Sequence, residues 1–425
     1  MKTGLHIFQK RYRLLTLAVT LTLVLRLAYS LGVYNYIADY FSWWRADDGY
    51  SSIAYTISTV GKYALSDTHL PTMTRLPIHP LFLAGVYVLF GKSLVAAQIF
   101  QSLLCALTCV LVYYTARKVS NEKVAGIAAL IFAIYPNSIL YSARTLSETT
   151  YTFLLAVFCL TLIKQFKEPT VWASVATGIS FGLLMLTKST TVLLLPFLSL
   201  IFLSAHYRKK LWRVVGSSVL TILVAALIMS PWIVRNYRLA GKIIPFSTWG
   251  GTPFYRGYYF ATHLGDGRSN AQIEYAGEQE GERLVNERYT PSGQPIDEYY
   301  QDKVAYSLVW EQVRARPFYS AGIFLRNVFL TWFLTYGNVT MIVSFLVHIP
   351  LLLLAVYAIL VMSKHDHRTG TNVLPLVLVC VYFNLVHAVI YPHNRFIAPV
   401  TATIVTILAA YSISHLVPLI RSRTT

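Results

Sequence analysis

The residues best suited to proton transfer are two adjacent carboxylates, Asp47 and Asp48, which are followed by Gly49 and Tyr50. Adjacent carboxylates oppose each other's ionisation, so we expect one of them to have a raised pKa. A carboxylate that faces an enclosed polar cavity can take the proton of an attacking hydroxyl, which is the work of a general base. The alternative is structural, because the run 46–49 could cap a helix that begins near Tyr50.

Glu148 is a third acidic candidate, and it also has two interpretations. It stands directly before an apolar segment, where a carboxylate is favoured by the dipole of a helix that begins there. Charged groups at membrane depth are costly, so a functional reason for Glu148 has to be weighed as well. The spacing alone leaves both open.

The composition defines the class of protein. The 36 Lys and Arg against 18 Asp and Glu give a net charge of +18 in 425 residues, yet only 13% of the chain is charged and 55% is hydrophobic. A soluble protein would carry roughly 25% charged residues. The 14% aromatic content excludes disorder, and four cysteines within apolar runs exclude a disulfide scaffold. The sequence therefore predicts a multi-spanning membrane protein whose positive charge lies in cytoplasmic loops, with no nucleic-acid partner.

The elements that position these residues are transmembrane helices. A helix needs about 20 mostly apolar residues to cross a bilayer core of about 30 Å. The predicted spans are 14–33, 94–116, 124–143, 147–164, 171–187, 190–206, 212–233, 340–361, 371–391 and 396–417. With ten spans, all the basic clusters fall on one side, together with both termini, and the positive-inside rule makes that side cytoplasmic.

Two further apolar stretches are 78–90 and 318–338. If only one of them crossed the membrane, the basic loops that follow it would move to the outer side. We therefore predict that both are helices at the outer interface. The chain then divides into an N-terminal membrane module, 1–233, an outer loop region, 234–339, and a C-terminal membrane module, 340–425. The N-terminal module contains the first outer loop, 34–77.

This topology brings the unusual polar residues to the outer face. Any one of them could snorkel or lie on lipid headgroups. As a set they indicate a pocket for an anionic group, because Arg recognises phosphate in a bidentate manner and Lys supplies a compact charge. The set contains Asp47, Asp48, Arg75, Arg144, Glu148, Lys188, Arg235, Asn236, Arg238, His387, Tyr391, His393, Asn394 and Arg395. Arg26 lies inside the first span and has no evident role.

Six segments, in order along the chain, resemble the GT-C glycosyltransferases, specifically the dolichyl-phosphate-mannose–protein mannosyltransferase and lipid A aminoarabinose transferase-like group. The segments are WWRADDGYSSIAYTIS, TRLPIHPLFLAGVYVLFGKS, YPNSILYSARTLSETTYTFLLA, FGLLMLTKSTTVLLLP, PWIVRNYRLAGKIIPFSTWGGTPFYRGY and YPHNRFIAPV. Segment 264–312 matches no part of the pattern. The resemblance implies inverting transfer of a sugar from a polyprenyl-phosphate-linked donor to a hydroxyl of a glycan, glycolipid or protein. The reaction would take place outside the cytoplasmic membrane.

The resemblance also implies roles for the candidate residues. Asp47 or Asp48 would be the base, and Glu148 a second carboxylate that shapes the site. The donor phosphate would be bound by Arg75, Lys188, Arg235, Arg395, His387 and His393. Sugar or acceptor would contact Tyr50 and the aromatic stretch 249–260, including Trp249, Tyr255 and Tyr258. That stretch could instead be an interfacial aromatic belt.

Other functions stay open at this stage. Some relatives bind a divalent metal, but no spacing of His, Asp and Glu identifies a site here. A secondary transporter would place charges near the midplane and show paired repeats, whereas these charges lie at one rim. An unrelated lipid-linked polymerase or ligase would share the outer cationic pocket.

Overall fold

The computed structural model describes residues 2–40, 48–67 and 69–424, and it is 81% helix. Asp47 lies outside the described residues. A π-helical segment, Ala28–Tyr34, joins the first two helices. The helices of the N-terminal half are α1 Lys2–Leu27, α2 Asn35–Tyr40, α3 Tyr50–Val60, α4 Ile78–Phe90, α5 Leu94–Val119, α6 Glu122–Ile134, α7 Pro136–Ser142, α8 Glu148–Lys167 and α9 Val171–Met185.

The remaining helices include two short ones and one interrupted span. The short helices lie beside 3₁₀ turns at Ser189–Thr191 and Ser199–Leu203, and a π-helical segment, Thr401–Val405, interrupts the last span. The helices are α10 Leu194–Leu198, α11 Ala205–Arg208, α12 Leu211–Ala240, α13 Gly251–His263, α14 Asn270–Arg288, α15 Asp297–Ala315, α16 Pro317–Leu330, α17 Asn338–His365, α18 His367–Ile390, α19 Asn394–Val400 and α20 Thr406–Thr424.

The predicted all-α, multi-spanning architecture is confirmed. Seven helical segments of the described chain are long and apolar enough to cross a membrane, and the pair α6 and α7, bent by 54°, adds an eighth if it forms one span. The other two predicted spans, 171–187 and 190–206, are present as shorter apolar helical segments. The predicted interfacial segment 78–90 is α4. The other, 318–338, is shorter than expected because its helix, α16, ends at Leu330.

The helix α12 is longer than predicted, and this changes the placement of three polar residues. The predicted span ended at residue 233, before the first charged side chain. The helix continues to Ala240 and ends at Gly241, whose φ of 64° lies in the left-handed region that favours glycine. Arg235, Asn236 and Arg238 therefore belong to the last turns of a helix rather than to a loop.

Contacts between the predicted basic loops hold one end of the bundle together. The ammonium of Lys167 donates to the carbonyl of Lys118. The ammonium of Lys123 lies 3.2 Å from the carbonyl oxygen of Ser414. These contacts bring the basic segments at the ends of α5 and α8 together at one end of the bundle, next to α20, as the positive-inside argument requires of those two segments.

The buried Arg26 has a structural role. Its guanidinium donates to the carbonyls of Ala133 at 2.9 Å and Phe132 at 3.2 Å, and to the hydroxyl of Ser138 at 2.9 Å. The chain bends between α6 and α7, where Pro136 has no N–H to donate to the carbonyl four residues earlier. Arg26 therefore satisfies backbone oxygens that the bend exposes within the membrane region.

Two glycines allow α9 to approach α12 closely. A Cβ atom at Gly178 would lie 2.7 Å from Cβ of Val224, and one at Gly182 would lie 2.8 Å from Cβ of Ile228. The spacing is the small-xxx-small pattern that lets membrane helices pack backbone to backbone. This contact packs α9, the helix that precedes the turn with Lys188, directly against α12.

We expect Gly178→Ala to lower the stability of the protein by about 1–3 kcal/mol, because the added methyl overpacks the contact between α9 and α12. Gly216→Ala in α12 is the matched control, since a Cβ there meets nothing within 4 Å. Alanine also has the higher helix propensity, so the control should unfold at the same or a higher temperature. Thermal unfolding in detergent measures both. An equal midpoint for the two variants would contradict the packing argument.

Candidate functional site

The centre of the candidate site is Glu148, the first residue of α8, which is 1% exposed. Its Oε1 atom accepts from Nε of Arg395 at 2.7 Å and from the ammonium of Lys188 at 2.9 Å. A buried carboxylate needs such partners, because an unpaired charge would be strongly destabilising. Glu148 thus holds two cations, one from the turn after α9 and one from the first turn of α19.

Arg395 joins Glu148 to Asp48. Its Nη2 atom lies 2.5 Å from Oδ2 of Asp48 and 3.4 Å from Oε2 of Glu148. One guanidinium therefore contacts two carboxylates that come from different parts of the chain. We call Asp48, Glu148, Lys188 and Arg395 the charged cluster.

Asp48 reaches this cluster from a tight turn before α3. Asp48 and Gly49 have φ values of 51° and 80°, both in the left-handed region. The carbonyl of Gly49 accepts from the amide of Ile53 at 3.2 Å, so α3 begins at Tyr50 as predicted. The expected start of the helix is therefore correct, but α3 has no side-chain cap, so Asp48 does not act as the predicted cap. The same turn places the Asp48 carboxylate against Arg395.

The charge state of Asp48 follows from its neighbours. Partial burial raises the pKa of the Asp48 carboxyl, but the guanidiniums of Arg395 and Arg75 outweigh it and hold the pKa below its usual range. The sequence predicted a raised pKa for one member of the acidic pair; at Asp48 the direction is the opposite. Its side chain is 39% exposed, so the ionised carboxylate remains accessible.

Lys188 lies in the turn after α9, between aromatic faces. Its ammonium is 5.4 Å from the ring centre of Tyr151 and 5.0 Å from that of Phe396. Burial lowers the pKa of Lys188, whereas the charge of Glu148 works in the opposite direction. Phe396 also lies 5.6 Å from the guanidinium carbon of Arg395. Sequence reasoning missed Phe396, although it directly follows the predicted arginine.

Arg75 contacts the turn that carries Asp48. Its Nε atom donates to the backbone carbonyl of Asp48 at 2.8 Å. Its guanidinium lies 5.8 Å from the ring centre of Tyr50 and 4.8 Å from that of Trp249. The hydroxyl of Tyr50 donates to Ser147 at 3.3 Å, beside the start of α8. Two predicted sugar-contacting residues, Tyr50 and Trp249, thus lie next to the charged cluster.

Arg235 does not contact the charged cluster directly but is connected to Arg75 through Tyr63. It donates to the backbone carbonyl of Tyr63 at 3.0 Å, and its guanidinium lies over the rings of Tyr63 and Trp232 at 4.9 and 4.8 Å. The hydroxyl of Tyr63 donates to the carbonyl of Arg75 at 2.9 Å. In the structure Arg235 therefore supports the loop that carries Arg75.

The two predicted histidines are buried beside the cluster. His387 stacks between Phe383 and Phe396, with ring centres 6.2 and 5.3 Å away. Nδ1 of His393 accepts from the amide of Arg395 at 3.0 Å and caps α19. Burial lowers the pKa of His393 to about 3, so this ring is neutral at neutral pH and adds no positive charge.

The remaining predicted aromatic residues lie in α13. Tyr255 and Tyr258 are each 3% exposed and pack in a hydrophobic cluster with residues of α15. The hydroxyl of Tyr258 lies 3.0 Å from that of Ser320 in α16. Tyr258 is thus a packing residue, and the structure does not bring it to the charged cluster.

A metal does not fit the cluster as the structure arranges it. In residues 2–40, 48–67 and 69–424, no group of three or more His, Cys, Asp or Glu side chains is placed to hold a metal ion. Asp48 and Glu148, the two described carboxylates of the cluster, both contact cationic side chains.

Comparison with known proteins supports the resemblance. Residues 72–234 match the family model of dolichyl-phosphate-mannose-protein mannosyltransferase. This segment carries Arg75, Glu148 and Lys188 of the site. Comparison with curated protein sequences gives no match.

Two solved structures of an archaeal enzyme share the fold. The archaeal oligosaccharyltransferase AglB from Archaeoglobus fulgidus, in complex with an inhibitory peptide and a dolichol-phosphate, is 18% identical, with a TM-score of 0.59 over 97% of this chain. The apo form of the Archaeoglobus fulgidus oligosaccharyltransferase gives 18% identity and a TM-score of 0.58 over 98% of this chain. ArnT from Cupriavidus metallidurans, bound to undecaprenyl phosphate, is 14% identical, with a TM-score of 0.45 over 95% of this chain and 78% of that one.

The chain spans about half the length of the two archaeal structures, 52% of each. At these identities the likeness is one of fold. The sequence motifs, the family match and the fold together confirm the predicted resemblance to GT-C glycosyltransferases. The protein is a multi-pass membrane protein, and its fold is similar to that of the archaeal oligosaccharyltransferase.

Proposed function

We propose that the protein transfers a sugar, with inversion, from a polyprenyl-phosphate-linked donor to an acceptor hydroxyl. The observation that carries this proposal is the charged cluster, in which an accessible carboxylate, Asp48, stands beside two cations that a buried Glu148 holds in place. A base next to cations is what displacement of a phosphate from an anomeric carbon requires. The dolichol-phosphate in the complex of the archaeal relative is consistent with this donor class.

The proposed reaction is a single displacement. The acceptor oxygen attacks the anomeric carbon from the face opposite the phosphate, while its proton passes to the carboxylate of Asp48. The bond between the anomeric carbon and the phosphate oxygen breaks, and its electron pair stays on the phosphate. Arg395 and Lys188 stabilise the charge that develops there, and Glu148 preorganises both. Asp47 remains the alternative base.

The geometry of Arg395 suggests how donor binding activates the base. In the described structure one Nη atom is shared between Asp48 and Glu148. A donor phosphate that takes part of this guanidinium weakens its contact with Asp48. The carboxylate of Asp48 then becomes a stronger proton acceptor when the donor is present.

The pH dependence of the reaction tests this exchange. The pKa of Asp48 is lowered in the free protein, so the acid limb of kcat/KM should lie below the usual Asp range of about 3.9. The acid limb of kcat reports the donor complex. Because Asp48 has lost part of its cation there, we expect this limb at a higher pH. Coincident limbs in rates measured across a pH series would contradict the exchange.

The proposed site faces the outside of the cytoplasmic membrane, with both termini in the cytoplasm. Cysteine labelling by an impermeant reagent should modify Gln279→Cys in intact cells, and Lys209→Cys only after the membrane is opened. Both positions are exposed. The native cysteines are buried or half-buried, which keeps the background low. The reverse pattern would place the site in the cytoplasm.

Mass spectrometry of cell-envelope glycolipids and glycoproteins, with and without the gene, tests the activity itself. Loss of one sugar from one class of glycoconjugate, restored by the wild-type gene and not by Asp48→Asn, is the expected result. Identical profiles from all strains, under conditions where the protein is produced, would contradict a transferase.

A further inference from the structure

A polar cavity lies between α13, α14, α15 and the loop before α4. Its volume is about 260 Å³. Most of its lining comes from the segment 264–312, which resembles no family motif. The lining residues are Thr74, Thr248, Trp249, Thr252, Tyr255, Gly281, Glu282, Val285, Asn286, Glu298, Gln301, Asp302 and Ala305.

Two half-buried carboxylates, Glu298 and Asp302, connect the walls of this cavity. Glu298 accepts from the hydroxyl of Thr72 and the amide of Met73, both at 2.7 Å, and from the hydroxyl of Thr248 at 3.0 Å. Asp302 accepts from the amides of Gly250 at 2.8 Å and Gly251 at 2.6 Å, at the start of α13. These hydrogen bonds connect α15 to the loop at 72–73 and to the segment 248–251, so three separate segments of the chain define the shape of the cavity.

Because Gly281 has no side chain, α14 can pack closely against α13 and form a third wall of the cavity. A Cβ atom there would lie 2.9 Å from Cδ1 of Tyr255. With glycine at this position, α14 packs directly on α13, and the ring of Tyr255 forms part of the lining. The wall that α14 supplies then presents Glu282 and Asn286 to the cavity.

Several polar side chains of the lining make no hydrogen bond within the described part of the protein and are available to a ligand. Within the described part of the chain, the side chains of Thr252, Glu282, Asn286 and Gln301 have no hydrogen-bond or ion-pair partner. Hydroxyl, amide and carboxylate groups around an aromatic face match a carbohydrate, whose hydroxyls donate and accept while its C–H faces pack on aromatic rings. Trp249 supplies that aromatic face.

The charge of the lining excludes an anion. Glu282, Glu298 and Asp302 line the cavity, and none of its lining residues is Lys or Arg. An anionic ligand would meet like charge there. The donor phosphate therefore belongs with Arg395 and Lys188, and the cavity is left for the other substrate.

The cavity and the proposed base share a wall. Thr74 lines the cavity, and its neighbour Arg75 lies 4.8 Å from the ring centre of Trp249. Arg75 also donates to the carbonyl of Asp48 at 2.8 Å. A ligand that rests on Trp249 thus lies one side chain away from the turn that holds Asp48.

We propose that this cavity is the acceptor subsite and that the acceptor is a glycan that is uncharged or carries amino groups. This inference rests on the proposed function, because it assigns the second substrate of that reaction. It also gives the segment 264–312 a role, which is to select the acceptor.

Saturation-transfer NMR with the full-length protein in lipid nanodiscs tests the subsite. The probes are tetra-N-acetylchitotetraose, its cationic deacetylated form, anionic tetragalacturonate and a serine- and threonine-rich peptide. We expect the first two to bind. Gln301→Leu should weaken that binding about three- to tenfold, as the loss of one or two hydrogen bonds does, and Trp249→Leu should weaken it at least as much. The control is Glu287→Gln, an exposed position on α14 outside the lining.

Binding of undecaprenyl phosphate to the same nanodiscs reads the donor site separately. Lipid phosphate binding without oligosaccharide binding would overturn the subsite and leave the proposed function standing. Oligosaccharide binding that Gln301→Leu and Trp249→Leu do not change would also overturn it, as would preference for tetragalacturonate or the peptide. Failure of undecaprenyl phosphate to bind would overturn the proposed function instead.

Discussion

Asp48→Asn should lower the rate of sugar transfer by about 10²–10⁴-fold, the usual contribution of a general base. The amide keeps the shape of the side chain and can still lie against Arg395, but it cannot accept the proton of the attacking hydroxyl. The fold should survive, because the Asp48 side chain is 39% exposed and Glu148 still holds Arg395 and Lys188. Initial rates with purified protein and a polyprenyl-phosphate-linked sugar measure the effect.

The same assay distinguishes the two members of the acidic pair. Asp47→Asn, made separately, should retain most of the activity if Asp48 is the base. Asp266→Asn is the control, since Asp266 pairs with Arg268 in an exposed loop. Full activity in both Asp47→Asn and Asp48→Asn would reject the general-base role for the pair.

The charged cluster could be predicted from the sequence because ionisable residues near a membrane are costly and therefore informative. Asp48 and Arg395 are separated by 347 positions in the sequence. Counting spans against the basic loops placed these residues on one face. The structure brings Asp48, Glu148, Lys188 and Arg395 into direct contact there.

The partners of other cations could not be predicted, because they are backbone atoms. Arg235 donates to the carbonyl of Tyr63 and Arg26 to carbonyls at the bend after α6. No pattern of side chains reveals which carbonyls a bend leaves exposed. The resemblance implied phosphate binding for Arg235, and the sequence could not show that its guanidinium contacts the backbone of a loop. For Arg26 the sequence indicated no role.

In the acidic segment 264–312, the sequence did not distinguish surface carboxylates from carboxylates that connect parts of the fold. Its composition is that of a solvated surface, and several of its acids do form exposed ion pairs, such as Glu311 with Arg288. Glu298 and Asp302 have the same residue types but connect three segments of the chain. Helical periodicity does not separate the two groups, because what differs is which loop packs against each side chain. Only the tertiary structure shows the cavity.

Arg395→Lys should lower the transfer rate by about 10²–10³-fold, the usual cost of removing one donor that stabilises developing charge. A lysine keeps the positive charge that balances Glu148, so the buried carboxylate is not left unpaired and the protein should fold. Its ammonium is a compact charge without the planar fork of arginine. It therefore cannot contact Glu148 and Asp48 and still offer a second N–H edge to the donor phosphate.

Measuring both undecaprenyl phosphate binding and the transfer rate distinguishes the possible roles of Arg395. Arg395→Lys should weaken undecaprenyl phosphate binding and slow transfer, whereas Arg283→Lys, in an exposed ion-pair network on α14, should change neither. If Arg395→Lys slowed transfer but left phosphate binding intact, Arg395 would act by holding Asp48 rather than by contacting the donor. Wild-type rate and binding in Arg395→Lys would remove the physical basis of the proposed reaction, because the bidentate contacts of Arg395 are what connect the base to the phosphate site.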